Sequence, residues 1–285
     1  MSNLNPFRIL SNLENGKSEV KELDITGAVI GTVSLFFILW LDQGFVFAIA
    51  SSEASNTILQ SSLILLILAF ESFIVIAVFK AYYIINHNKE KIKVNSIKKF
   101  TLANVILIIL SVLGYLLFFD SLLMPINKML QGFNLITEIT QFMTKSPILY
   151  VYAFIIGPVL SEFVFRGIIV GGLLKKYSYK KAILVSALIS AIFAFNLAGF
   201  MCSFLLGILL GYIYVKTRSL YLCIIADILY NVVTIILIQY YPQFLLLMST
   251  NIIIIAFLSV IGLLIMYFGL KKLFSNFQNT NLQKL

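Results

Sequence analysis

An all-α, polytopic integral membrane protein with about eight transmembrane helices is the fold class this sequence predicts, on three observations. First, hydrophobic residues make up 60% of the 285-residue chain and charged residues only 12%, where soluble domains carry about 25% charged. Second, mean hydropathy is +1.00, so the solvent for this fold is lipid. Third, long apolar runs recur along the whole chain. A helix rising ~1.5 Å per residue needs about 20 residues to cross ~30 Å of hydrocarbon. No period-2 alternation supports a closed β-barrel, which leaves helices as the way to satisfy every backbone group in a bilayer.

Taken in order, the runs fall at residues 25–48, 57–85, 101–124, 148–174, 182–200, 202–217, 220–240 and 249–270. The boundary between the fifth and sixth is the least marked and is set near Gly199. Residues 1–24 form a polar segment, expected on the cytosolic side as a short surface helix. They carry Glu14, Glu19, Glu22 and Asp24 among the basic residues and show no cleavable signal peptide. Residues 25–272 make the transmembrane domain, and 273–285 a polar cytosolic tail.

The net charge of +9 is distributed unevenly. Lys89, Lys91, Lys93, Lys98 and Lys99 fill the second loop, and Lys175, Lys176, Lys180 and Lys181 the fourth. Lys216 and Arg218 occupy the sixth turn, and Lys271, Lys272 and Lys284 follow the last span. Alternating spans put all of these on one side with Arg8, Lys17, Lys21 and Lys80, and leave only Lys128 and Lys145 on the other. By the positive-inside rule both termini are cytoplasmic and the number of spans is even. The expected location is therefore a plasma membrane, and the heavy use of Ile, Asn and Lys points to a bacterial one. Topology and attraction to membrane lipid account for the basic charge, so no nucleic-acid partner is expected. Cys202 and Cys223 fall near opposite faces of the bilayer, which argues against a disulfide between them and against a metal cluster.

The informative residues are the charges left inside the membrane, because each costs several kcal/mol unless it faces a cavity or a partner. Glu71, Glu162, Arg166 and Asp227 are of this kind, while Asp120 lies close to the outer end of the third span. Glu162 and Arg166 stand four residues apart in Gly157-Pro-Val-Leu-Ser-Glu-Phe-Val-Phe-Arg-Gly167, hence on one helix face and within pairing reach. Asp227 and Asn231 repeat that spacing in Ala226-Asp-Ile-Leu-Tyr-Asn231. Counted from the flanking lysines, both pairs lie ~12–20 Å in from the cytosolic side and can meet in one polar pocket. A purely structural network that locks helices together weighs about equally, since Gly167, Gly171, Gly172, Gly207 and Gly211 already offer close helix contacts. Glu71 reads as a buried carboxyl that is simply protonated.

These same residues carry a family resemblance. Ser161-Glu-Phe-Val-Phe-Arg-Gly167 resembles the E-E-x-x-x-R motif of the CPBP family, the CAAX-processing and bacteriocin-processing (Abi) intramembrane proteases. Leu210-Gly-Tyr-Ile-Tyr-Val-Lys-Thr-Arg-Ser-Leu220 is similar to the family's glycine-containing helix and turn, and Asp227-Ile-Leu-Tyr-Asn231 falls where the family has H-x-x-x-N. The resemblance covers roughly 148–234, and it implies an eight-span bundle in which motif glutamates and histidines activate water for peptide-bond hydrolysis. Glu162, Arg166 and Asn231 match the motifs. Ser161 replaces the first glutamate, and Asp227 replaces a histidine. The F-x-x-x-H motif reads Phe193-Ala-Phe-Asn-Leu197, with Leu197 at the histidine position or Asn196 one place earlier.

By this reading Glu162, Arg166, Asp227 and Asn231 are the candidate catalytic residues, and Ser161, Phe193, Asn196 and Leu197 the candidate binding residues. The chain's one histidine, His87, lies in a predicted cytosolic loop, so no cofactor is expected and a His-ligated zinc is disfavoured. Two carboxylates and an amide beside Arg166 are a sparse set for a harder cation. Three functions are open. The first is a degenerate protease homologue acting as a binding partner, regulator or bacteriocin-immunity-type protein. Its ligand would be another membrane protein, a peptide or a transmembrane segment. The second is an active intramembrane peptidase processing peptides or CAAX-like substrates with Glu162 as base. The third, a transporter component, is weakest, because inverted repeats and paired broken helices are not visible.

Overall fold

The computed structural model describes residues 12, 18–51, 57–85, 101–129, 147–194, 197–241, 243 and 251–281. The elements run β1 (Ser18–Val20), α1 (Ile25–Ser51), α2 (Thr57–Tyr82), β2 (Tyr83–Ile85), α3 (Leu102–Tyr115), α4 (Ser121–Met129), α5 (Pro147–Val151), α6 (Gly157–Glu162), α7 (Gly171–Leu173), α8 (Tyr179–Ile192), α9 (Leu197–Thr217), α10 (Leu220–Tyr240) and α11 (Ile252–Asn281). Three π-helical stretches, Leu116–Asp120, Tyr152–Ile156 and Phe163–Val170, continue α3 into α4, α5 into α6 and α6 into α7. Lys89 to Lys99, His87, Lys145 and Asn196 lie outside the described residues.

Seven stretches among the described residues are long and apolar enough to cross a membrane: Ile25–Val46, Ser61–Tyr82, Leu102–Leu123, Ile148–Leu173, Gly199–Thr217, Leu220–Tyr240 and Ile252–Phe277. The chain is a multi-pass membrane protein. Large apolar side chains such as Phe45, Phe73, Phe257 and Phe268 are more than half exposed, which water would penalise and lipid does not.

The expected fifth span is where structure and sequence reading part. α8 is 14 residues long, ~21 Å, too short by itself for ~30 Å of hydrocarbon. The break after it lies between Ile192 and Leu197, while Gly199 sits inside α9. Gly199 reads as a breaker in sequence, but a glycine within a packed apolar helix is tolerated. α8 folds back on α9 so tightly that a Cβ on Gly207 would lie 2.9 Å from Ala187 Cβ, and one on Gly211 would lie 3.0 Å from Ile183 Cγ2.

Both ends of the transmembrane domain also differ from expectation. Residues 18–20 are a strand, paired antiparallel with Tyr83–Ile85, where a surface helix was expected. The strand continues into a strap over the site helix: the Lys21 amide donates to Tyr82 O at 2.8 Å and the Leu23 amide to Gly172 O at 3.2 Å. Val20 and Leu23 are buried there. At the other end α11 runs on to Asn281, and Leu273 and Phe277 belong to the core. The apolar pattern continues at helical spacing past Lys272, so burial carries the helix past the expected end of the span.

One core cluster joins α3, the site helix, α9, α10 and the end of α11. α3 and α11 meet backbone to backbone: a Cβ on Gly114 would lie 2.4 Å from Met266 N, and one on Gly262 2.5 Å from Phe118 N. Asn276 Nδ2 donates to Asn104 Oδ1 at 2.9 Å along the same seam. Small residues and a side-chain amide pair are how helices associate where lipid removes the hydrophobic drive.

Candidate functional site

The site is built on the bend of one composite helix. Gly157 and Pro158 open α6, where proline is tolerated in the first turn. From Phe163 to Val170 the winding is π-helical. A π stretch shifts the backbone register and sets carbonyls aside for other donors, which is why such stretches gather at functional sites. Here the Phe165 carbonyl accepts from Ser186 Oγ of α8 at 3.2 Å.

Glu162 is fully buried and ion-paired through Oε1 with Arg166 Nη1 on the same helix face. Arg166 Nη2 also donates to Gly207 O of α9 at 3.3 Å. Gly207 thus permits the α8–α9 contact and offers its carbonyl to the guanidinium. On α10, Asn231 Nδ2 donates to Asp227 O at 2.8 Å and to Asp227 Oδ1 at 3.1 Å. Ser161 Oγ lies 2.9 Å from Asp227 Oδ2 and 3.0 Å from Pro158 O, and its one proton serves one acceptor at a time. Asp227 is within electrostatic reach of Arg166 and Glu162.

The structure therefore gathers Ser161, Glu162, Arg166, Asp227 and Asn231 into one polar cluster, with Glu162, Arg166 and Asp227 buried and Ser161 and Asn231 half-buried. Within it the two positions that depart from the motif pattern, Ser161 and Asp227, bond to each other. Glu162 Oε2 and Arg166 Nε, however, are buried with no hydrogen-bond partner among the described residues. One is an acceptor and the other a donor.

Phe193 and Leu197 do not join the cluster. Phe193 stacks on Phe36 of α1 with ring centroids 4.0 Å apart, and Phe36 in turn packs on Phe165. Leu197 is 59% exposed at the start of α9. The turn after α8 starts at Phe193, which aims that ring sideways into the packing against α1. Sequence reasoning missed three contacts. The Gly207 carbonyl is one, and its only signal was a glycine on α9 facing the Arg166 helix. Ser186 is another. The third is Tyr152, whose hydroxyl donates to Glu71 Oε1, so the intramembrane carboxyl on α2 has a partner on the stretch before α6. Among the described residues no group of three or more His, Cys, Asp or Glu side chains converges to hold a metal.

Beside the Phe163–Val170 stretch lies an apolar cavity of about 260 Å³, lined from α1, α2 and that stretch. Val164, Ile168 and Ile169 form its inner wall, and Leu23 of the strap and Tyr82 are among its other lining residues. It contains none of the cluster's charged residues.

Comparison with known proteins places the similarity on this region. Residues 143–233 match the family described as Type II CAAX prenyl endopeptidase Rce1-like. Over 91 residues the chain is 29% identical to the protein named "Putative membrane peptidase YdiL" of Bacillus subtilis (strain 168). That stretch is 32% of this chain and 37% of the relative, so the match spans little more than a third of the relative's length. No solved structure matches the chain. The matched segment holds every member of the Glu162–Asp227 cluster, and over it the chain is similar to the CAAX-endopeptidase-like membrane proteins, while lacking the motif histidines and the first glutamate.

Proposed function

We propose that this protein is a non-hydrolytic member of its family that binds a transmembrane segment or lipid-linked peptide at the Glu162–Asp227 cluster. In this role it serves as a membrane partner, regulator or immunity-type protein. The observation that carries the reading is the pair of open valences, Glu162 Oε2 and Arg166 Nε. A peptide group has one donor and one acceptor, the complement of that pair. An unsatisfied buried polar atom costs about 1–3 kcal/mol, which such a ligand recovers. The apolar cavity lined in part by Val164, Ile168 and Ile169 of the same helix suits the hydrophobic part of the ligand.

Hydrolysis needs a base with a proton relay and a group for the oxyanion. Residues 148–234 contain no histidine, and Ser161 and Asp227 are engaged with each other. The donor set also does not fit zinc: Glu162 is held by Arg166, and Asp227 and Asn231 contribute one carboxylate and one amide. A second reading, an active peptidase, draws on the same free oxygen, because Glu162 Oε2 is where an attacking water would be held.

One experiment separates the two. The full-length protein in nanodiscs is mixed with a panel of transmembrane and C-terminally lipidated peptides, and both binding and new peptide termini are followed by mass spectrometry. Binding without cleavage, weakened at least about tenfold by Glu162→Gln, is expected for the loss of a charged hydrogen bond. Cleavage abolished by Glu162→Gln establishes the peptidase instead. Binding that survives both Glu162→Ala and Asp227→Ala removes the pocket from the function.

A further inference from the structure

The ends of α8, α9 and α11 come together in a basic, aromatic rim that the cluster does not use. Tyr212 of α9 is its hub. Its ring meets Tyr179 of α8 at 6.3 Å and Phe274 of α11 at 5.9 Å, and Lys216 Nζ lies 5.8 Å from its centroid. The same arrangement recurs on either side, with Lys181 Nζ 4.8 Å from the Tyr177 ring and Lys271 Nζ 5.6 Å from the Tyr267 ring. Lys180, Lys181, Lys271 and Lys272 are exposed. The segments 174–182, 212–220 and 267–277 carry eight Lys and Arg residues and no Asp or Glu.

Just below the rim, toward the middle of the bilayer, the same helices present apolar side chains outward: Leu184 and Leu188 on α8, Leu264 and Phe268 on α11. Cations beside tyrosine rings therefore stand at the ends of helices that expose apolar side chains. Tyrosine rings are amphipathic and settle at headgroup level, and lysine stems reach upward past them. We propose that this rim is a binding site for the phosphate headgroup of an anionic phospholipid, with its acyl chains along the apolar strip and its charge held between Lys181, Lys216 and Lys271. A free phosphate would meet only the cations. A phospholipid meets both parts, and the attraction amounts to on the order of fivefold in affinity per lysine.

The test uses the full-length protein in mixed micelles with equal phosphatidylglycerol and phosphatidylcholine, and native mass spectrometry reads the lipid retained. The wild type is expected to keep phosphatidylglycerol preferentially. Lys181→Gln, Lys216→Gln and Lys271→Gln each lower that preference several-fold, and Tyr212→Leu lowers it while keeping every charge. Lys80→Gln, away from the rim, leaves it unchanged. Equal retention of the two lipids by the wild type overturns the proposal, as does a folded triple lysine variant that keeps the preference. If the triple variant does not fold, the single variants decide in the same way. Displacement of the lipid by an equal concentration of glycerol phosphate assigns the rim to free anions and overturns it too.

Discussion

At the residue scale the cluster is an exercise in compensating buried charge. Removing one partner of a buried ion pair typically costs ~3–5 kcal/mol, whereas replacing both with apolar groups of similar volume is often close to neutral. Arg166→Ala is therefore expected to destabilise the protein by about 3–5 kcal/mol in detergent unfolding, and the double variant Glu162→Leu/Arg166→Met to recover most of that loss. Ser161 and Asp227 supply a second test. Ser161→Glu restores the family residue but sets a carboxylate beside Asp227 Oδ2, now 2.9 Å from the serine oxygen. The single variant should lower the unfolding midpoint, and adding Asp227→His should restore it, giving a coupling energy of about 0.5–3 kcal/mol in a double-mutant cycle. Additive effects would mean that the two positions are independent. The pairs within each helix were legible in sequence because four residues make about one helical turn. The Ser161–Asp227 bond spans 66 positions, and no local periodicity encodes it.

At the element scale, close approach decides which glycines matter. A side chain on Gly114 meets Met266 N at 2.4 Å and Gly262 O at 2.8 Å, and backbone cannot step aside as a rotamer can. Gly114→Ala is expected to cost about 1–3 kcal/mol, the range for overpacking a tight contact. On α1 a Cβ added to Gly44 would meet nothing within 4 Å, so Gly44→Ala should instead stabilise by ~0.4–1 kcal/mol through helix propensity. Unfolding of the two variants in the same detergent checks the contrast, and equal effects would contradict the α3–α11 seam. The Asn104–Asn276 bond on that seam should be worth about 0.6–1.7 kcal/mol, read from Asn276→Leu. Most helix positions followed from apolar run length. The α8–α9 turn and the π winding did not, because both depend on packing between helices, such as the Ser186 hydroxyl meeting the Phe165 carbonyl.

For the whole molecule, the return of α8 on α9 bears on how the chain crosses the membrane. α7 ends close to Lys175 and α9 holds Lys216 in its last turn, and the hairpin between them brings both lysines to the same side although α8 is short. An even-pass topology with cytosolic ends is the proposal that this return supports. In a background without Cys202 and Cys223, cysteines placed at Ser178 and Ser275 should react with a membrane-impermeant maleimide only after the cytosolic side is opened. Labelling of either from the outside of sealed cells would reverse the orientation. The sequence by itself determined the solvent, the helical class, nearly all the spans and the two intrahelical pairs. Hydropathy and helical spacing are local quantities, and a bilayer makes them decisive. Only the tertiary structure decided that Ser161 meets Asp227, that Arg166 reaches Gly207, that Tyr152 partners Glu71 and that Phe193 and Leu197 stand apart. Those are contacts between helices, set by small-residue packing and by the unwinding of one span, and such geometry has no signature along a single chain.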